Sequence, residues 1–428
     1  MIRNRHWVWW ICCLIILSGF CTHVTAQNNF ESKRLNVLLE RRGWIRIGLT
    51  QNQNSALVQM DDGGIILIDG RSVRCNGGTV SFKSAGSVVQ GEVPGVGPVS
   101  GNEVLVEPIG GIWAYNGKSY RGKARVIARG GKLSVINEIM IDDWLKGVLP
   151  AEIGKDSPME ALKAQAVAGR SEAVFRLLVP PHKNDGYDFC TGVHCQAYKG
   201  IEAETAEVRK ACDDTLGYVL LAEGDILNAV YHNVCGGVTA AAEDVWDSKP
   251  VPGLSPVYDK LQGNAVNLGS DEAVTRFILN DGTSDFCFPG NPGYANYAKK
   301  YFRWTKTLTA SEAGKAAGVG VLTDIAVTER RPSGRVRQLT VRGTNGTKTF
   351  EKELNIRRIF DLWSGLFVVE IRRNGSTIES ISFVGAGNGH GVGLCQHGAR
   401  EIARRGGTYD QILGHYYRNA RLQKVYRP

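Results

Sequence analysis

Beyond its first 26 residues the 428-residue chain has no apolar run long enough to cross a bilayer, which takes about 20 residues. It has no internal repeat and no low-complexity tract, which excludes a repeat architecture. It also lacks the polar bias of a disordered chain. With 43% apolar, 22% charged and 8% aromatic residues, the composition excludes disorder, collagen and coiled coil. Proline is sparse, 14 residues against 52 glycines, so the glycines mark turns and close backbone approach. What remains is ordinary globular composition at a length that suits two or three domains.

The first residues read as an export signal. Arg3 and Arg5 precede an apolar run from Trp7 to Phe20, and Val24-Thr25-Ala26 offers a small-residue cleavage site before Gln27. An uncleaved N-terminal anchor is the alternative. Bulky Phe20 before Cys21 does not suit a lipoprotein signal. The chain is therefore expected in the periplasm or cell envelope, exported or anchored at its N-terminus. The formal net charge is +9. Much of the excess lies after His397, where Arg400, Arg404, Arg405, Arg418, Arg421, Lys424 and Arg427 face only Glu401 and Asp410. A basic end on an exported protein suits an anionic surface such as cell wall or lipid head groups. A solvated helix face is the other reading, and nucleic acid is not expected outside the cell. Seven cysteines lie beyond the signal: Cys75, Cys190, Cys195, Cys212, Cys235, Cys287 and Cys395. An odd number in an oxidising compartment implies disulfides, a metal site or a spare thiol.

From Arg34 to Tyr115 short alternating segments such as Trp44–Leu49 and Gly64–Ile68 predict a small β domain. Strands continue through Ala124–Ile127 and Lys132–Ile136 around a Gly130-Gly131 turn. Ser157-Pro158-Met159-Glu160 then predicts a capped helix running to about Leu178 and stopping before Pro180-Pro181. Leu162, Ala166, Gly169, Ala173 and Leu177 share one face of it, and these small residues imply close packing. Lys163 and Arg170, seven apart, share another face. Gly217 to Tyr231 reads as a hairpin turning at Glu223-Gly224-Asp225, and alternating strands return from Arg303 to about Arg373.

Three groups carry candidate chemistry. Glu152 sits in the segment feeding the capped helix; to donate a proton near neutral pH it needs burial. Cys190, His194 and Cys195 with His182 form a zinc-like ligand set, for which a disulfide is the rival reading. Glycines at 385, 387, 389, 391 and 393 leave one side of the backbone bare, so something must approach it closely; His390 and Gln396 flank this stretch. Pairing among Cys235, Cys287 and Cys395 is open.

Four ordered stretches resemble the SpoIID (LytB-type) family: Leu145 to Ile153, Glu160 to Arg170, Tyr231 to Thr239, and Gly389 to Ala399, with Cys195-Gln196-Ala197-Tyr198 as a shorter fifth. Gly169 and Glu172 depart from the alanine and tyrosine usual around the helix arginine. Cys235 and Cys395 stand where Ser or Met is common. The resemblance implies an α+β fold, mostly β with a few helices, multi-domain around a SpoIID-like catalytic core. The expected divisions are a signal at 1–26, a β domain at 27–115, core at 116–254, a β-rich insertion or lid at 255–378, and the rest of the core at 379–428. It implies a lytic transglycosylase that cuts peptidoglycan glycan strands, preferentially those free of stem peptides, with Glu152 as the single acid/base. Lys163, Gln165, Arg170, Tyr231, Thr239, His390 and Gln396 are the expected substrate-binding residues, with Lys163 or Arg170 meeting the freed lactyl carboxylate. Structural zinc on His182, Cys190, His194 and Cys195 is expected, as is a partner amidase in the wall. The competing expectation is a non-catalytic glycan-binding or amidase-enhancing module.

Overall fold

The computed structural model describes residues 33–246, 248–261 and 267–426. The expected signal over 1–26 lies outside them. Among the described residues no helix is long and apolar enough to cross a membrane. The architecture is α+β and mostly β, with several sheets.

The N-terminal half is built on two antiparallel-rich sheets. One runs, in spatial order, Phe189–Cys190, Trp44–Gln53, Lys132–Met140, Lys123–Arg129, Glu103–Pro108, Gly64–Ile68 and Arg71–Cys75. The other runs Lys118–Arg121, Ile112–Tyr115, Ser55–Met60, Gly78–Ala85, Val88–Val93 and Gly97–Gly101. Ser55–Met60 buries alternate residues, Ala56, Val58 and Met60 inward, whereas the central strand Lys123–Arg129 is buried on both faces from Ala124 to Ala128. Both sheets run across residue 115: Trp44–Gln53 pairs with Lys132–Met140, and Ile112–Tyr115 with Lys118–Arg121. The β layers before and after that point share one apolar core, which also takes in Leu162, Ala166 and Ala173.

The long helix Met159–Arg176 is buried on two sides. Leu162, Ala166, Gly169, Ala173 and Leu177 all lie inside, as their shared face predicts. Ala164, Val167 and Ala168 pack into a second core with Leu220, Val234, Leu394 and Ala399. Small side chains let the backbone come close on both sides. The start of this helix differs from expectation. Its N-cap is Pro158, with no side-chain cap. The Ser157 hydroxyl instead donates to the Ile153 carbonyl at 2.7 Å, and Glu160 pairs with Lys163 and accepts the Tyr409 N–H. Tertiary partners displaced the local capping box.

The hairpin Tyr218–Ala222 to Asp225–Ile226 turns at Glu223-Gly224, as expected, and Arg421–Lys424 joins its other edge. Tyr231–His232 pairs in parallel with Leu394–Cys395, bringing two distant motifs side by side. Between them in sequence lies a unit with its own core around Leu339, Ile381 and Phe383. It has two three-stranded sheets and two helices, Ala310–Ala317 and Glu353–Phe360, where the sequence predicts strands alone. The first helix carries a Thr309/Glu312 capping box, the local signal that marks it. Its strand Thr377–Ala386 runs directly into the glycine stretch.

That stretch is not a strand. Gly387, Gly389, Gly391 and Gly393 all have positive φ. A Cβ on Gly393 would sit 2.1 Å from the Val230 carbonyl oxygen, and one on Gly391 2.4 Å from Arg335 Nη2. The close approach expected of the bare backbone comes from the segment after Val230 and from the inserted unit.

Candidate active site

The helix Ile141–Leu149 ends in a single π turn, Pro150–Gly154, that carries Glu152. Such turns distort the regular backbone and occur often at functional sites. Ser157 and Arg400 both donate to the Ile153 carbonyl, at 2.7 and 3.4 Å, and so clamp the turn. Glu152 is half-buried, and its Oε1 accepts the Ala197 N–H at 2.9 Å. Burial pushes its pKa up, and the Ala197 hydrogen bond opposes part of that rise.

The donor of that bond sits on a strained turn. Gln196 has φ 76° and ψ 128°, a conformation that side-chain-bearing residues seldom adopt. Its side chain holds it there: Nε2 donates to the Gly169 carbonyl and to Glu172 Oε2, each at 3.1 Å. The long helix therefore aims the Ala197 N–H at Glu152 through Gln196.

Glu172 is the residue that sequence reasoning noted only as a departure. It lies three residues beyond Gly169, and Arg176 follows one turn later at 3.4 Å. Burial pushes its pKa up to about 7, with Arg176 opposing and the charge of Glu152 adding to the rise. Tyr231 completes the group. Its hydroxyl is buried with no hydrogen-bond partner among the described residues, and its pKa is raised by burial and by the charges of Glu152 and Glu172. From the first turn of the helix Gln396–Arg404, Gln396 Nε2 reaches Gln165 Oε1 on the long helix at 3.5 Å.

Two expected cations do not join this cluster. Arg170 precedes Glu172 by two residues, about 200° around the helix, and Lys163 precedes it by nine, about 180° around. Lys163 pairs with Glu160 at 2.9 Å and Asp214 at 3.2 Å. Arg170 is fully buried, bonded to Asp142 and to the Tyr218 carbonyl. The shared face that the sequence implies is real, but it points to the helix Ala206–Asp214 and the hairpin. The Thr239 hydroxyl takes the Val257 N–H at 2.8 Å and its carbonyl takes Arg335. His390 braces Tyr231 from the glycine stretch. It bonds the Tyr231 backbone and accepts the Val392 N–H at 3.0 Å, and burial with nearby His232 pushes its pKa down to about 3.

His182, Cys190, His194 and Cys195 do converge, their four ligand atoms all within 4.8 Å of one another. His182 and His194 Nε2 are 3.2 Å apart, and Cys190 Sγ is 3.7 Å from His194 Nε2. His182 Nδ1 is bound by Asp185 at 3.0 Å, which leaves Nε2 free to ligate, the usual carboxylate–histidine support of a metal ligand. Two thiolates and two imidazoles fit zinc. Cys195 is the residue immediately before Gln196.

This is an α+β chain that presents one half-buried acid on a π turn against a strained backbone turn. Residues 129–221 match the SpoIID model, described as stage II sporulation protein, and residues 240–393 match a domain of unknown function. The chain is 27% identical over 313 residues to stage II sporulation protein D of Bacillus subtilis, covering 68% of this chain and 76% of that one. It is 29% identical over 320 residues to an uncharacterized protein of Brachyspira hyodysenteriae, covering 73% and 76% respectively. An amidase enhancer of Bacillus subtilis matches at 24% over 303 residues, 64% of this chain but 39% of that protein. Residues 129–221 thus carry a domain of the SpoIID family.

Proposed function

We propose that the chain acts at the bacterial cell wall as a lytic transglycosylase on peptidoglycan glycan strands. The observation that carries this is the placement of Glu152, a half-buried carboxyl with a raised pKa held by the Ala197 N–H, while the neighbouring carboxyl, Glu172, is buried and tied to Gln196 and Arg176. A hydrolase ordinarily needs a second carboxylate to activate water or act as nucleophile. Here the muramic acid 6-hydroxyl attacks its own C1, and the intramolecular geometry supplies what that second group would. Glu152 protonates the bridging oxygen as the C1–O bond breaks, then accepts the proton of the 6-hydroxyl as the 1,6-anhydro ring closes.

Glycan free of stem peptides carries a lactyl carboxylate. With Lys163 and Arg170 turned away, Arg400 is the better partner for it. It lies beside the Glu152 turn, and its described hydrogen bonds run to the Ile153 and Gly293 carbonyls. It also lines a cavity of about 100 Å³ with Asp156, Tyr294 and His397. Zinc on His182, Cys190, His194 and Cys195 would brace the Gln196 turn; no chemistry is assigned to it. An exported location and a partner amidase, suggested by the amidase-enhancer relative, belong to the same proposal.

Mass spectrometry of digested peptide-free glycan tests it. Wild type should yield anhydro ends and Glu152→Gln at least about 100-fold fewer. Reducing ends mean hydrolysis; no cleavage by wild type returns the chain to a glycan-binding or amidase-enhancing module.

A further inference from the structure

Three cysteines outside the candidate active site meet in the second core. Cys235, Cys287 and Cys395 are all buried, and their sulfurs lie within 4.8 Å of one another and of a carboxylate oxygen of Asp259. The four ligands come from separate segments: the turn after Tyr231–His232, the strand Leu394–Cys395, and two loops that precede the inserted unit. We propose that Cys235, Cys287, Cys395 and Asp259 form a second metal site, a closed three-thiolate, one-carboxylate cage for zinc or a similar thiophilic divalent ion.

The spacing favours a cage over a crosslink. A disulfide needs about 2.05 Å between sulfurs. Tetrahedral zinc with bonds of about 2.3 Å puts its sulfurs about 3.8 Å apart. The Cys235 and Cys287 sulfurs are 3.4 Å apart, and any single disulfide would strand a third thiol against a buried carboxylate. The surroundings are also built for negative charge on these ligands. The Cys235 N–H points to the Cys395 sulfur at 3.3 Å and the Gly237 N–H to the Cys235 sulfur at 3.4 Å. Asp259 accepts the Cys287 N–H at 2.8 Å and the Tyr416 hydroxyl. Outer-shell donors of this kind orient metal ligands and settle their charge. Buried Arg335 donates to carbonyls of the 235–239 segment, adding positive charge nearby. His232, paired in register with Cys395, is buried with its Nδ1 on the Val392 carbonyl. Metal binding would displace three thiol protons to solvent.

Such an ion would tie the segments that lead into the inserted unit to the strands beside Tyr231 and Gln396. Asp259 and Cys287 come from the loops that lead toward that unit, Cys235 and Cys395 from the segments beside Tyr231 and Gln396, and all three cysteines share the second core. The site stands whether or not the chain cuts glycan.

The experiment is elemental analysis of the full chain, purified with zinc and without reductant, as wild type, Cys190→Ser and Cys395→Ser. Cys190 is a partly exposed ligand of the other cluster, so its replacement spares this core. One zinc equivalent should persist in Cys190→Ser and be missing from Cys395→Ser. Because loss of a core thiol can unfold the chain, the wild type supplies a second readout. Unfolded in chelator without reductant and alkylated, it should carry label on Cys235, Cys287 and Cys395. Cobalt loaded into Cys190→Ser should show a thiolate-to-metal charge-transfer band. A disulfide-linked pair among the three cysteines, or a Cys190→Ser protein holding no metal, overturns the site.

Discussion

Glu152 and Glu172 are two carboxyl groups in mutual electrostatic reach with different tasks. Glu152 receives a backbone N–H, whereas Glu172 is deeper and keeps its proton to about pH 7. Its folded-state pKa is raised, so its neutral form is the one the fold favours. That contribution is fully present below its ordinary value of 4.5 and is lost as pH rises through about 7. Glu172→Gln removes the titration while keeping an acceptor for Gln196. The variant's melting temperature should therefore gain on wild type between pH 5 and pH 8; a difference independent of pH would contradict it. Arg400→Met should weaken binding of stripped strands by about tenfold, roughly 1.4 kcal/mol, and spare amidated strands. Lys163→Met should leave both unchanged, because Lys163 is committed to Glu160 and Asp214. Equilibrium binding to the two glycans decides between the arginine and the lysine.

At the scale of elements, the candidate site depends on turns more than on strands. Three irregular segments make it: the π turn of Glu152, the positive-φ turn at Gln196 and the glycine stretch after residue 385. Each is held by contacts from elsewhere, which lets strained backbone persist. Gly391 has φ 80° and Arg335 Nη2 where a Cβ would lie. Gly391→Ala should destabilise the chain by at least about 1–2 kcal/mol from the backbone conformation alone, measured by denaturant unfolding. At the neighbouring zinc-like cluster, Asp185 orients His182. Asp185→Ala should reduce zinc affinity about 10- to 100-fold by competition with a chelating dye. Unchanged affinity would mean the histidine needs no orienting partner.

Across the whole molecule, the long helix is the common member. It borders both cores and touches the Glu152 turn through Gln196, the helix Gln396–Arg404 through Gln165 and the start of the last helix, Tyr409–Tyr416, through Glu160. The inserted unit closes onto the 235–239 segment through buried Arg335 and through an apolar cluster in which Val238 meets Leu366, Val368 and Ala386. Arg335→Met should leave four main-chain carbonyls short of a donor, and native-state hydrogen exchange should then report faster opening of residues 235–239 than of the long helix. If both regions loosen equally, the arginine serves overall stability and not this junction.

The amino-acid order by itself determined the mostly β α+β class, the long helix with its buried small-residue face, the hairpin at Glu223-Gly224, and the motifs that meet around Glu152. These follow from local periodicity and turn chemistry, which neighbouring residues carry. It also marked His182, Cys190, His194 and Cys195 as a set, since most of that set is local. Only the tertiary structure decided which helix face meets the acid. Lys163 and Arg170 share a face, as spacing requires, yet that face belongs to Asp142, Glu160 and Asp214. Glu172 and the strained Gln196 gain their meaning from partners about 20 to 45 residues away. The sheets that cross residue 115, the helices inside the inserted unit and the meeting of Cys235, Cys287, Cys395 and Asp259 have the same origin. Long-range packing chose among conformations and neighbours that local sequence left equally open.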